Sequence, residues 1–522
     1  MPLRILLLLT LLFSIARADT LLVPIDDRPA NLLFVRQLAR IGGDELVVAP
    51  RYLLGRFLSP GQSDTLVSWL EEQARPGDTA FVSADMLAYG GLVASRNRQT
   101  SAEEALARLS VLERLEGVDL QVLATLPRLS LRTSDSQAPY ERKLAEWATK
   151  PGLEPPAEVP AEVVEEYLAV RRRNLGVLLR LVEMARQGKI AHLVIGQDDS
   201  HKTGLHQKEQ EELLAAIDGD PRITLISGVD ELSMDMLAGH LAGAPVGVRV
   251  IYSDPEAAEK VPPIESLPLG QMVEQHLLLS GARPVDDESA EVDLFVYVPS
   301  AKPWNVPGQE GKPPAESFLE QVKQAQQAGR RVAVADLSLV NRMDPFLAEG
   351  VLKELDLPKF AGFASWNTPA NAVGTVIAQL VAHRRAETSD WNGYRRLESE
   401  KTHQAFLIAR LIDDYGYQTL VRDQVKGQVA GLPADADPLL NLYGPVGLDI
   451  RLRLIEFANR LYGEHFRGRE IEVEPLPGHY RFGKMELEVV LPWPRIFEVE
   501  ARLDVRLEPV QRKSTSISSG MR

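Results

Sequence analysis

Ten short runs rich in Val, Ile and Leu, each followed by a polar turn, constrain this chain more than any other feature of its sequence. They are TLLVPI (20–25), ELVVAP (45–50), TAFVSA (79–84), LQVLATL (120–126) and HLVIG (192–196), then ITLIS (223–227), VRVIY (248–252), LFVYV (294–298), RVAVAD (331–336) and FAGFA (360–364). The runs are nearly continuous in apolar character, as parallel strands buried on both faces are. Between them lie amphipathic stretches of helical length, such as SAEEALARLSVLERLEG and EVVEEYLAVRRRNLGVLLRLVEMARQG. Strands alternating with helices define an α/β fold with a parallel sheet. Ten strands are more than a minimal barrel needs. The pattern therefore predicts a (β/α)8-barrel-like parallel sheet with extra elements, with an open doubly wound sheet as the alternative.

The alternation stops near residue 386, after which a mostly helical stretch leads to the strand-like REIEVEPL and KMELEVVLPWPRIFEVEARLDVRLEP. This divides the chain into a leader (1–18), an α/β domain (19–385) and a smaller C-terminal α+β domain (386–522) ending in a polar tail. The leader has Arg4, an apolar core from Ile5 to Ile15 and an Ala16-Arg17-Ala18 cleavage pattern. It reads as a secretory signal, too short to span a bilayer, and predicts a periplasmic or secreted protein without stable membrane insertion. The chain has no cysteine, which rules out disulfides, thiolate chemistry and cysteine-built zinc sites. A formal charge of −15 argues against nucleic acid and anionic membrane surfaces as partners. Two long loops rich in Pro, Gly and Glu (150–162 and 299–316) are longer than connectors need to be, and loops of that kind are commonly functional.

The residues just after each strand carry the chemistry. They include Asp26 and Asp27, Asp85, Arg128, Asp198 and Asp199, then Lys302, Trp304 and Asn305, Asp336, and Trp366 with Asn367. In a parallel α/β protein these strand ends converge on one face. Carboxylates, amides, arginines and indoles together suit a sugar, whose hydroxyls need polar partners and whose ring packs on an aromatic face. A single Asp or Asn after a strand is by default a turn or cap residue. Asp230 and Glu231 in SGVDEL are read that way, as helix-start residues. The adjacent Asp198 and Asp199 in VIGQDDSHKTG are different, because a cap needs one carboxylate, and Ser200 or Thr203 could supply the cap to the next helix. His201 and His206 are five residues apart and share no helical face, so they make a weak metal pair. ADMLAYGGLVASR (84–96) offers Asp85, Tyr89 and a close backbone approach at Gly90-Gly91, without a dinucleotide or phosphate-loop spacing. G-x-S-x-G is absent, which lowers the case for a serine esterase. No cofactor is implied.

LLVPIDDRPAN, SADMLAYGGLVASR, VIGQDDSHKTG and FASWNTPANAVGT, in that order over residues 21–375, with LPWPRIFEVE at 491–500, resemble a bacterial family of uncharacterised proteins, domain of unknown function 4127 (DUF4127). The Asp198-Asp199 pair followed by SWNTPANAV (365–373) also resembles the barrel of the family 84 glycoside hydrolases, the O-GlcNAcase-like enzymes. That likeness implies substrate-assisted catalysis, with Asp198 orienting the 2-acetamido group and Asp199 as acid/base. Trp366, Asn367 and Asn371 would line the sugar pocket. The expectation is therefore a glycosidase acting on N-acetylamino-sugar or related glycans, with Asp26, Asp27, Asp85, Tyr89, Arg128, Trp304 and Asn305 as further binding residues. Two alternatives stay open. One is a metal-dependent hydrolase using Asp26, Asp27, Asp198 and His201, and the other a non-catalytic carbohydrate-binding protein with Trp304 and Trp366 as platforms.

Overall fold

All ten apolar runs form strands in a computed structural model that describes residues 18–134, 136–150, 152–298, 312–429, 443–473, 476 and 478–510. In chain order the strands are β1 (Thr20–Val23), β2 (Leu46–Val48), β3 (Thr79–Ser83), β4 (Asp119–Leu126), β5 (His192–Gln197), β6 (Ile223–Ser227) and β7 (Val246–Tyr252). Next come β8 (Ala282–Pro284), β9 (Val292–Tyr297), β10 (Val332–Asp336), β11 (Phe360–Ala364), β12 (Glu470–Glu472), β13 (His479–Val490) and β14 (Glu500–Pro509). The three-residue β8, with its terminal Pro284, is too short for the apolar pattern to register.

The α/β class holds, but the strands divide between two open parallel sheets and do not close one barrel. The first sheet runs β2-β1-β3-β4-β5-β6 and the second β11-β10-β9-β7-β8. Counted from its own first strand, the second sheet repeats the 2-1-3-4-5 order of the first. That is the doubly wound order kept as the alternative, with a switch point beside each first strand. The physical reason lies in the helix after β6. This helix, Leu232–Ala242, is buried along most of its length and enters the space between the sheets, so β7 opens a new sheet.

One buried cluster joins the facing sides of the two sheets. It takes Leu22, Phe81, Leu123, Val194 and Ile226 from the first sheet and Val248, Leu294 and Ala333 from the second. Between them lie the helices Leu33–Ile41, Leu232–Ala242, Leu269–Leu279 and Pro369–Thr388. The last of these is buried from Pro369 through Ala382, which accounts for its lack of a polar face. The outer face of the second sheet shares a cluster with the C-terminal helices and with β13 and β14, which join β12 in a small antiparallel sheet. Among the described residues no helix is long and apolar enough to cross a membrane.

Candidate functional site

Where the carboxyl ends of β1, β4, β5 and β6 meet those of β10 and β11, a cavity of about 220 Å³ opens. Its wall includes Arg28, Arg96, Arg128, Asp198, Asp199, Asp230, Glu265, Asn341, Asn367 and Asn371. The C-terminal segment between β13 and β14 adds Trp493, Arg495 and Phe497.

The backbone around this cavity is strained. Asp199 (φ 25°), Ile264 (φ 65°), Asn341 (φ 62°) and Asn367 (φ 58°) all line it, and all four have left-handed φ values. For a β-branched residue such as Ile264 this is a true outlier. The strained turns are tied in pairs across the wall. Ser200 N donates to Ile264 O at 2.9 Å, and Asn341 N donates to Asn367 O at 2.8 Å. Strain held in place by the surrounding fold clusters at functional sites.

The charges are organised around fixed ion pairs. Arg128 donates Nε and Nη2 to Asp198 at 2.9 and 2.7 Å, and Arg96 donates Nη2 to Asp198 Oδ2 at 2.6 Å. Burial opposes the charged form of Asp198, yet Arg128 and Arg96 overcome it and hold the carboxyl well below the usual range. Asp199 meets Arg128 Nη1 at 2.5 Å and its side chain stays 30% exposed. Burial and the charge of Asp198 push Asp199 upward against the pull of Arg128. Arg28 forks onto Asp230 at 2.8 and 2.6 Å and also donates to Asp26. Glu265 is almost fully buried, accepts the Ala370 N–H at 3.2 Å, and is pushed up to about 8 by burial. Behind Asn371 lies buried Glu231, also pushed to about 8 by burial and by Asp235, which itself pairs with His276 at 2.7 Å.

The structure thus brings Asp198, Asp199, Arg128, Asn367 and Asn371 into one cavity. Asn371 is already committed, as partner of Glu231 and as capping-box residue with Thr368. Asp26 and Asp27 stand beside the cavity without lining it. Asp26 is held by Arg28 and Asn31, and Asp27 accepts Trp493 Nε1 at 2.6 Å and Arg51 Nε at 3.1 Å. Asp85 lies deeper, pushed to about 7 by burial and by the charge of Asp198, and Tyr89 packs under Arg173. Trp366 is set back, edge-on to Phe34 at 6.0 Å and bonded to Thr375. Trp304 and Asn305 lie outside the described residues.

Several readings are corrected. The proposed cation ligands do not converge, because the oxygens of Asp26, Asp27 and Asp198 are engaged elsewhere and His201 is exposed. Among the described residues no group of three or more His, Asp or Glu side chains could hold a metal ion. The helix Leu205–Ile217 starts after Gly204 without a side-chain cap, so neither the aspartates nor Ser200 or Thr203 serve it. Asp230 and Glu231 give no side-chain cap to Leu232–Ala242 either; Asp230 grips Arg28. Gly90 and Gly91 serve packing: a Cβ on Gly90 would sit 2.6 Å from Gly61 N, and one on Gly91 3.0 Å from Ile25 O.

Fold and site together define an α/β protein of two doubly wound sheets with a small, charged, strained cavity at their joined carboxyl ends. The chain matches the family described as protein of unknown function (DUF4127) over residues 20–502, and it belongs to that family. Among curated proteins no match is found.

Proposed function

We propose that this chain is a glycoside hydrolase acting outside the cytoplasm on N-acetylamino-sugar or related glycans, with Asp199 and Glu265 as its acid–base pair. One observation carries the reading. These two carboxyls line the same small cavity on strained turns bonded to each other, in environments of different kinds. Asp199 faces a guanidinium and reaches solvent, while Glu265 is buried against a backbone N–H and stays protonated near neutral pH. Carboxyls set apart in this way divide the acid and base work of glycoside hydrolysis.

Glu265 gives its proton to the leaving oxygen as that oxygen separates from the anomeric carbon. The hydroxyl of a water joins the anomeric carbon, and the remaining proton of that water passes to Asp199. Proton exchange with solvent resets both groups, so each bond broken consumes one water. Asp198, saturated by Arg96 and Arg128, is a fixed anion that positions Arg128 against Asp199. The family 84 likeness gives Asp199 the donor's part, but its ion pair with Arg128 suits it better to accept the proton. Asn341, Asn367 and Gln197 supply hydroxyl partners, and half-buried Phe497 supplies a ring face.

The test is turnover of a panel of aryl glycosides, N-acetylglucosaminides included, by wild type, Asp199→Asn and Glu265→Gln. Each variant is expected to lose about 100-fold or more in kcat while keeping its circular dichroism spectrum. Wild-type turnover should be bell-shaped in pH, with the alkaline limb set by Glu265 near 8 and removed in Glu265→Gln. Full activity in both variants, or activity abolished by a chelator, would overturn the assignment.

A further inference from the structure

Two guanidiniums, those of Arg96 and Arg128, stand together on the cavity wall, and Asp198 is the one carboxylate bonded to both. Like charges stay close in a buried place only where the fold holds them there. A single helix, Ala161–Arg186, does so. Its Arg171 donates to Arg128 O at 2.8 Å and to Pro127 O at 3.3 Å, and Tyr167 donates to Leu129 O at 2.8 Å. Two residues on, Arg173 donates to Ser95 O, Asn97 O and Thr100 O at 2.5, 2.7 and 2.8 Å, and Asn174 donates to Ser95 O at 2.9 Å. The backbones that carry Arg96 and Arg128 are thus clamped from one element, and the pair is set before any ligand arrives.

The two guanidiniums are not equally satisfied. Arg128 spends Nε and Nη2 on Asp198 and Nη1 on Asp199. Arg96 gives one Nη2 bond to Asp198, and its buried Nε has no partner among the described residues. Arg171, which serves the fold, has its donors filled, with Nε and Nη2 on Glu209 and Nη1 on a carbonyl. At Arg96, burial and the charge of Arg128 outweigh Asp198 and Asp199 and pull the guanidinium below its usual range, as befits a cation short of negative charge. Its side chain keeps 16% exposure, and it lines a neighbouring hollow as well as the cavity. The described lining of that hollow adds Arg98 and Arg132 and one carboxylate, Glu141, which accepts the Ser130 hydroxyl. In a chain of net charge −15 this is a local concentration of positive charge.

A guanidinium fixed beside a cavity with donors to spare suits an oxyanion. Asp198, Asp199 and Glu141 offset most of the nearby positive charge, which favours a singly charged carboxylate over the nearly doubled charge of a phosphate monoester. We infer that Arg96 is a subsite for a carboxylate on the sugar held in the cavity, so that the substrate is an acidic glycan. The carboxylate belongs to a uronic acid or is joined to the sugar through an ether. The sugar rests on the glycosidase reading; the carboxylate rests on Arg96.

The experiment uses free monosaccharides, which have no glycosidic bond to cut. Glucuronate and N-acetylmuramate are each compared with their methyl esters, and inorganic phosphate is titrated alongside, by calorimetry on wild type, Arg96→Gln and Arg96→Lys. At least one acid should bind wild type about tenfold or more tighter than its ester, and the larger gain separates the uronate from the ether-linked acid. The ratio should fall to about two or less in Arg96→Gln. Arg96→Lys keeps a charge beside Asp198, and with it the fold, but loses the planar fork; there the ratio should fall about threefold or more, and this variant decides if Arg96→Gln does not fold. A ratio near one in wild type, no binding of either acid, a ratio unchanged by the substitutions, or phosphate bound more tightly than both acids would each overturn the inference. Bond cleavage is read separately, on the aryl glycosides with a glucuronide among them. Acid preference without turnover of any glycoside would sink the glycosidase reading and sustain the carboxylate site, whereas turnover without acid preference would do the reverse.

Discussion

Asp198 and Asp199 are adjacent in the chain and opposite in circumstance. Asp198 is closed in by two guanidiniums, and Asp199 shares only one of them and opens to the cavity. Replacing Asp198 by Asn leaves Arg96 and Arg128 facing each other without their shared anion. The Asp198→Asn protein should lose about 3 kcal/mol of stability or more, because a buried charge loses its partner. Asp199→Asn, which removes a partly exposed member of the cluster, should lose about 1 kcal/mol or less. Urea unfolding of the two variants checks this, and equal losses would mean that the two carboxylates share one structural role. The doublet drew attention in the sequence because two like charges side by side need a reason. Nothing comparable marks Glu265 in VPPIESLPLG. Its importance comes from the turn at Ile264 and from a helix more than a hundred residues later, and contacts of that range leave no local pattern.

At the scale of elements, the segment between β13 and β14 decides how complete the cavity is. Two guanidiniums stand over the Trp493 ring, Arg28 at 5.2 Å and Arg495 at 4.4 Å, and its indole N–H donates to Asp27. This contact ties the C-terminal hairpin to the turn after β1, 466 residues away in sequence. Trp493→Phe keeps most of the ring but leaves Asp27 short of a donor. It should cost about 1–3 kcal/mol in urea unfolding, and, on the proposed glycosidase reading, it should also raise KM for a cleaved glycoside by loosening the wall that carries Phe497. Unchanged stability would show that Arg51 alone satisfies Asp27. The element pattern was legible wherever burial on both faces made the runs apolar, which covers all ten predicted strands. It was misleading for LPWPRIFEVE, read as continuous strand although Pro492 and Pro494 cannot donate to a sheet ladder; they mark the break between β13 and β14. The split into two sheets was hidden for a related reason. A parallel strand looks the same in a barrel and in an open sheet, and the repeated order lies in pairing, not in residue type.

The described residues include several fully buried carboxyls, and these set how the stability of the whole molecule should respond to pH. Burial pushes Asp85 up to about 7, Glu231 and Glu265 to about 8, Asp336 to about 6 and Asp414 to about 7. In the unfolded chain the same groups release their protons near 4. Between those values the folded state binds more protons than the unfolded one, so stability falls as pH rises through this window. His276 adds to the trend: its pairing with Asp235 outweighs burial and raises it, so its contribution is present below the unfolded value and lost above the folded one. Two buried histidines act the other way. His206 and His403 are lowered to about 4 and about 3, chiefly by burial, and their contribution disappears as pH falls from about 6.5 toward those values. The carboxyls outnumber the histidines, and their windows extend to about 8, so the optimum should lie on the mildly acidic side. Calorimetric melting at pH 5 to 8 should show Tm falling by about 5 °C or more across that range. Glu231→Gln, which removes a titrating group from the interior without changing its shape, should flatten the fall. A Tm that rises from pH 5 to 8 would mean that the lowered histidines outweigh the raised carboxyls, and it would remove the support that burial of Glu265 lends to its proposed role as proton donor.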